Sequence, residues 1–160
     1  MQDLLNKEPV KRVIKKLKEY DEKLEVIVLD NSARTAQDAA NTLNTEIGSI
    51  IKSLFLRTKN SFLLCLVAGD KRCSLNKVKK ILNEKDVSMA KADQVKETTG
   101  FTIGGVSPVA HLNEINIYID QSLSRFKNIY GAAGHPNVVF KIDFKNLNEI
   151  TKGKIADISE

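Results

Sequence analysis

Residues 49–58, SIIKSLFLRT, organise the chain around them. They are apolar and rich in β-branched side chains, with Gly48 on one side and the turn-forming TKNS on the other, so they read as a β-strand. Strand alternation puts Ile50, Lys52, Leu54 and Leu56 on one face and Ile51, Ser53, Phe55 and Arg57 on the other. Lys52 therefore shares its face with three aliphatic side chains. An unpaired buried ammonium costs several kcal/mol or sheds its proton, so a lysine in that place needs a reason.

Outward from this strand, SFLLCLVAGD (61–70) pairs with it as a hairpin across TKNS, giving a central antiparallel pair. Upstream, residues 1–23 hold an amphipathic helix that starts near Pro9, with Val10, Val13, Ile14 and Leu17 at helical spacing. KLEVIVLD follows as a strand. In SARTAQDAANTL, Thr35 and Asp38 give a capping signal for a small alanine-rich helix, and Asn44 suits its left-handed stop. Downstream, Ser74 caps LNKVKKIL, and a helix in ADQVKETTG stops at Gly100. EINIYID and FKNIYGAAGHPNVVFKID supply strands, FKNLNEITKG a helix with Gly153 at its end, and KIADIS a last short strand. Strands grouped in hairpins, with helices between the groups, predict an α+β fold: one domain over 1–160, built on a curved, barrel-like mixed sheet with helices outside.

Composition narrows the function classes. With 160 residues, 42% hydrophobic and 28% charged, the chain is an ordinary soluble globular sequence. MQDLLNKEPVKR lacks an apolar h-region and no segment nears the roughly 18 apolar residues that span a bilayer, so a cytoplasmic protein without a membrane partner is expected. Cys65, Cys73, His111 and His135 match no zinc spacing, so no metal or other cofactor is expected. Cys65 alternates with leucines and reads as a core residue, and Cys73 as a loop thiol. A net charge of +5 is mild, but lysines and arginines cluster at 11–18 and 71–80. Such clusters either face a polyanion or simply solvate a helix.

No Ser-His-Asp or Cys-His pattern, phosphate loop or paired-carboxylate frame is present. What core building leaves unexplained is IIKSLFL, TGFTIGGVSPVAH and YGAAGHPNVVF. Glycines in GGVSP let backbone approach a ligand and Pro108 stiffens the loop, though the same residues also make a plain turn. Gly131 and Gly134 likewise permit a tight bend before Pro136.

Taken together, SARTAQDAANTL, IGSIIKSLFL, CLVAGDKRCSLNKVKKIL, MAKADQVKETTGFTIGGVSPVAH and GAAGHPNVVFKIDFKNLNEITKG resemble the YbaK-type aminoacyl-tRNA editing domains, relatives of the insertion domain of bacterial prolyl-tRNA synthetase. The resemblance runs over about residues 24–159, with Ala110 standing where many relatives carry glycine. It implies a free-standing deacylase acting on mischarged tRNA, most often tRNA for proline carrying cysteine or alanine, with a synthetase such as prolyl-tRNA synthetase as a further partner. It implies catalytic positions at Lys52, Gly104 and Pro108, with Lys52 meeting the acceptor end of the tRNA. It also implies substrate-binding positions at Thr35, Ser53, Gly105, Val106, Ser107, Gly131, Gly134, His135 and Asn137. A non-catalytic RNA-binding module and a small-molecule ester hydrolase are the competing readings.

Overall fold

The structure is a computed structural model that describes residues 2–30 and 35–160. Its elements, in chain order, are α1 (Glu8–Tyr20), β1 (Val26–Val28), α2 (Ala36–Leu43), β2 (Ile51–Arg57), β3 (Phe62–Ala68), α3 (Leu75–Leu82), β4 (Ser88–Met89), α4 (Ala92–Thr99), β5 (Asn116–Asp120), β6 (Ile129–His135), β7 (Val138–Ile142), α5 (Phe144–Thr151) and β8 (Lys154–Ala156). Short 3-10 turns precede α1, β2 and β6.

The hairpin forms as the sequence predicts, in register from Ile51 opposite Ala68 to Arg57 opposite Phe62. It is the middle of a five-stranded sheet of order β4-β2-β3-β5-β8, in which β3–β5 and β5–β8 run parallel. A second sheet, β1-β7-β6, is antiparallel. The expected barrel-like single sheet is thus two sheets that do not close. They meet at a lone parallel bridge between Ile50 and Tyr130.

Alternation along β2 divides the hydrophobic residues as expected. Ile51 and Phe55 enter the main core with Leu64, Leu66 and Ala68 of β3, Val10, Val13 and Leu17 of α1, and Phe140 of β7. Leu54 and Leu56 face the other way, with Leu63, Cys65 and Val67 under Val78 of α3. Ile50 joins Leu29, Ala39, Ala40 and Val139 beneath α2. Because both faces of β3 are covered, every residue from Leu63 to Ala68 is buried, which explains its unbroken apolar run. Each fully buried aliphatic side chain contributes about 1.5–3 kcal/mol. Cys65 is in the core as read; Cys73 is half-buried and packs against the same cluster, and both thiols are free.

The helix ends follow their capping residues. Thr35 Oγ1 accepts from Asp38 N and Ser74 Oγ from Lys77 N, while Asn44, Asn83 and Gly100 take left-handed conformations at the stops. Helix α5 departs from expectation, since its left-handed residue is Lys152, with φ 55°, and not Gly153. Gly153 serves packing, for a Cβ there would lie 2.8 Å from Ile119 Cδ1. The glycines of GAAGHPN also differ from a bend: they lie within β6, which bulges between Ala132 and His135, and the turn itself is at 136–137.

Asp120, fully buried at the end of β5, fastens the C-terminal segment. Its carboxylate accepts from Ser122 N at 3.1 Å, Ser122 Oγ, Ile158 N at 2.8 Å and Ser159 Oγ at 2.8 Å. Burial pushes its pKa up, but the hydrogen bonds from Ser122, Ile158 and Ser159 outweigh that and hold it below the usual carboxylate value. A depressed folded pKa means that this stability is complete above the unfolded pKa and is lost as pH falls through the folded one. Replacing Asp120→Ala is expected to cost about 3 kcal/mol in urea unfolding near neutral pH. The cost should shrink as the wild type is acidified below about pH 4. An unchanged urea midpoint would show that this clasp adds nothing to stability.

Candidate functional site

Where the two sheets meet, the chain leaves a cavity of about 220 Å³ lined by Thr35, Ala36 and Ala39, Ile50–Ser53, Gly104 and Val106, Tyr130 and Ala132, Pro136 and Val139. The wall is apolar side chain and backbone with the hydroxyl-bearing residues Thr35, Ser53 and Tyr130 and one cation, Lys52. No carboxylate or imidazole is among its described lining residues.

The loop 99–111 forms one wall, and it lies closely against β6 where Gly105 meets Gly134, which in turn lies against α1. A Cβ on Gly105 would meet Gly134 C at 3.0 Å, and one on Gly134 would meet Pro9 C at 2.8 Å. Gly104 adopts φ 96°, open to glycine but strained for other residues. Gly105 N closes the turn onto the Thr102 carbonyl at 3.0 Å, whereas no described residue accepts from the amides of Gly104 or Val106. Those two residues line the cavity. Val106 is a buried residue and Gly104 an exposed one, and an amide without a protein partner is available to an incoming acceptor.

Arg12 of α1 holds this loop from outside. Its Nε donates to the Ala110 carbonyl at 2.7 Å and its guanidinium to the Thr99 carbonyl at 3.2 Å, while it lies 4.6 Å from the centre of the Phe101 ring. Ala110 sits at φ 68°, a left-handed conformation that costs about 1–2 kcal/mol for a residue with a Cβ. His111 reaches back, with Nε2 2.6 Å from the Ser107 carbonyl. Burial pushes its pKa down to about 4, the Ser107 carbonyl opposing and the Arg12 charge assisting, so near neutral pH the ring is uncharged and Nε2–H donates.

Lys52 resolves the puzzle of its apolar face. Its stem runs along the cavity and its ammonium donates to the Lys71 carbonyl, at the boundary with a second, open cleft. It is half-buried, so the ammonium is hydrogen-bonded near the surface and not sealed in the core. On the next residue, Ser53 Oγ is buried without a hydrogen-bond partner, the one such side-chain atom among the described residues.

Of the residues anticipated from sequence, the cavity gathers Thr35, Lys52, Ser53, Gly104 and Val106. Gly105, Ser107, Pro108 and Gly131 are buried behind its wall, where a Cβ on Gly131 would stand 3.0 Å from Pro108 Cγ. Gly134 packs on α1, and His135 and Asn137 sit at the β6–β7 turn, where Asn137 N donates to His135 Nδ1 at 3.0 Å. Burial and then the Lys7 charge lower the His135 pKa. Sequence reading missed Ile50, Ile51, Ala36, Ala39, Tyr130, Ala132, Pro136 and Val139 as lining. The alanines at 36 and 39 carried a signal, being small residues one helical turn apart; Tyr130 carried none.

A family model described as an aminoacyl-tRNA editing domain matches residues 30–150. The uncharacterized protein YwhH of Bacillus subtilis (strain 168) is 29% identical over 138 residues, 86% of this chain and 87% of that protein. A proline–tRNA ligase of Thermosipho africanus (strain TCF52B) is 31% identical over 157 residues, so that 95% of this chain spans only 28% of the ligase. A crystal structure assigned as a candidate trans-editing enzyme for prolyl tRNA synthetase superposes with a TM-score of 0.91 at 33% identity, over 96% of this chain and 98% of that one.

His111 gives the site's wall a pH signature. The unfolded imidazole takes a proton near pH 6.5 and the folded one near pH 4, so stability is full above the first value and drains away as pH falls towards the second. Urea midpoints measured across that window should fall more steeply for the wild type than for His111→Gln. Parallel curves would show that the ring does not titrate in this way.

Proposed function

The chain belongs to the aminoacyl-tRNA editing domain family, and on that premise we propose that it is a free-standing deacylase of mischarged tRNA, with tRNA for proline carrying a non-cognate residue such as cysteine or alanine as its substrate. The observation that carries the proposal is that Gly104 and Val106 line the cavity while their amides have no acceptor among the described residues.

An aminoacyl ester is already activated, so its hydrolysis needs a placed water and a stabilised oxyanion more than a protein nucleophile. The Gly104 and Val106 amides donate to the ester carbonyl oxygen, most strongly as the carbonyl carbon becomes tetrahedral. One such donor is worth a factor of about 10² to 10³ in rate. Water adds to that carbon, the bond to the ribose oxygen breaks, and the water's proton passes to the departing ribose. No described lining residue can take that proton as a carboxylate or imidazole would. A neighbouring ribose hydroxyl of the substrate itself relays it. Ser53, on the cavity lining, contacts the aminoacyl group. Lys52, at the mouth, holds the acceptor end.

The apolar lining accepts a short side chain, and selection by one methylene is worth about 1–3 kcal/mol. No group of three metal-binding side chains occurs among the described residues. No described helix is long and apolar enough to cross a membrane. Action in the cytoplasm, on tRNA leaving a prolyl-tRNA synthetase, completes the proposal.

A panel of mischarged tRNAs tests it. The wild type should hydrolyse at least one member, and Lys52→Ala should be slower by about 10². Gly104→Ala should also lose rate by about 10-fold or more, because space is ample, with Pro136 Cγ 3.6 Å from the new Cβ, while the φ of 96° is not. Tight tRNA binding with no ester cleaved on any member would favour the RNA-binding reading, and equal rates for wild type and Lys52→Ala would take the lysine out of the mechanism.

A further inference from the structure

Beside the cavity, and sharing Lys52 with it, an open cleft of about 520 Å³ is lined by Lys52, Gly69, Asp70, Lys71, Arg72 and Glu160. Its floor is the turn that leaves β3. Lys71 N donates to the Ala68 carbonyl at 2.9 Å, and Arg72 and Glu160 exchange backbone bonds of 3.1 and 2.8 Å. Gly69 lets this turn sit on the cavity's own wall, since a Cβ there would collide with the Ile47 carbonyl and lie 3.1 Å from Ala36 Cβ. The two concavities are therefore neighbours joined at Lys52.

Charge in the cleft is unbalanced. Arg125 grips Asp70 through two bonds of 2.9 and 2.7 Å, which leaves Glu160 as the carboxylate not already engaged. Lys52, Lys71 and Arg72 make no salt bridge among the described residues, and the last two are exposed. Three cations with one free carboxylate, Glu160, among them remain in excess, and an anion relieves their repulsion.

Size points the same way. At about 220 Å³ the cavity lies below the roughly 300 Å³ at which pockets begin to hold larger ligands, so an aminoacyl group fills it and the attached nucleoside stays outside. The rim at Gly104 and Pro136 is uncharged, whereas the way out past Lys52 opens on the cations. We infer that Lys52, Lys71 and Arg72 form an anion subsite that takes the phosphodiester of the nucleotide bearing the ester. The identity of that strand rests on the deacylase proposal, but the subsite's test requires no ester cleavage.

Binding of adenosine, adenosine 5′-monophosphate and inorganic phosphate is measured by calorimetry for the wild type and for a Lys71→Ala, Arg72→Ala double variant. The wild type should prefer the monophosphate to adenosine by about 10-fold or more, with inorganic phosphate weaker than the nucleotide, and the variant should lose most of that preference. With a single-stranded CCA-ended oligonucleotide, the slope of log affinity against log salt should fall by about 0.7 for each phosphate that the variant no longer neutralises. Both side chains are exposed, so thermal melts serve as the check on folding; the charge reversal Lys71→Glu repeats the test with a single change. An undiminished monophosphate preference in the variants overturns the subsite, as does inorganic phosphate binding the wild type as tightly as the nucleotide. A protein that cleaves no ester yet keeps this preference defeats the deacylase proposal alone, and the reverse pattern defeats the subsite alone.

Discussion

Two backbone donors can wait unpaired beside a cavity only if the chain carrying them is held by something else, and here Arg12 does the holding. From α1 it bonds the carbonyls of Ala110 and Thr99 and covers the Phe101 ring, so it grips the 99–111 loop at both ends. His111 and the Ser107 hydroxyl, the latter accepting from Val109 N at 3.2 Å, fix the segment between. The strained Ala110 survives because these contacts over-determine it. Gly104 and Val106 then line the cavity with amides that have no acceptor among the described residues.

The same constraint explains why the helix at the start of the chain belongs to the site at all. Helix α1 packs on β6, where Gly134 accepts the backbone of Pro9 and Val10 at distances that no side chain would allow. Gly105 then lies on Gly134. Helix, bulged strand and loop form three layers of backbone, with glycine at each close approach, and the cavity is what remains between that stack and the start of β2. An apolar cavity of this kind does little chemistry through side chains. Its resources are backbone amides, the hydroxyl-bearing residues Thr35 and Tyr130 and one cation at the mouth, which suits an ester that is already activated.

Local signals in the sequence carried much of the fold. The β2–β3 hairpin, the caps at Thr35 and Ser74, and the stops at Asn44 and Gly100 all depend on residues within a few positions of one another, and each occurs as read. What was not legible depends on distant chain. β4 exists only through pairing of two residues with Leu56 and Arg57. Strand β6 carries a bulge, and a bulge in a glycine-rich strand reads like a loop. Lys52 stood out by type, but its partner, a carbonyl on Lys71, could not be found by periodicity. The resemblance to editing domains named a broad set of residues, and the structure separates the five that line the cavity from those behind its wall and from Gly134, His135 and Asn137, which lie at the α1 contact and the β6–β7 turn.

The proposed ester hydrolysis turns on whether the Gly104 and Val106 amides receive the ester carbonyl. The direct measurement is amide chemical shifts of the protein titrated with an aminoacyl-adenosine analogue whose ester oxygen is replaced by nitrogen, so that the carbonyl remains and cleavage does not occur. The Gly104 and Val106 amide protons should move furthest downfield, together with a change at Ser53. Saturating binding that leaves those two amides in place, with the perturbation centred on His135 and Asn137, would contradict the assignment.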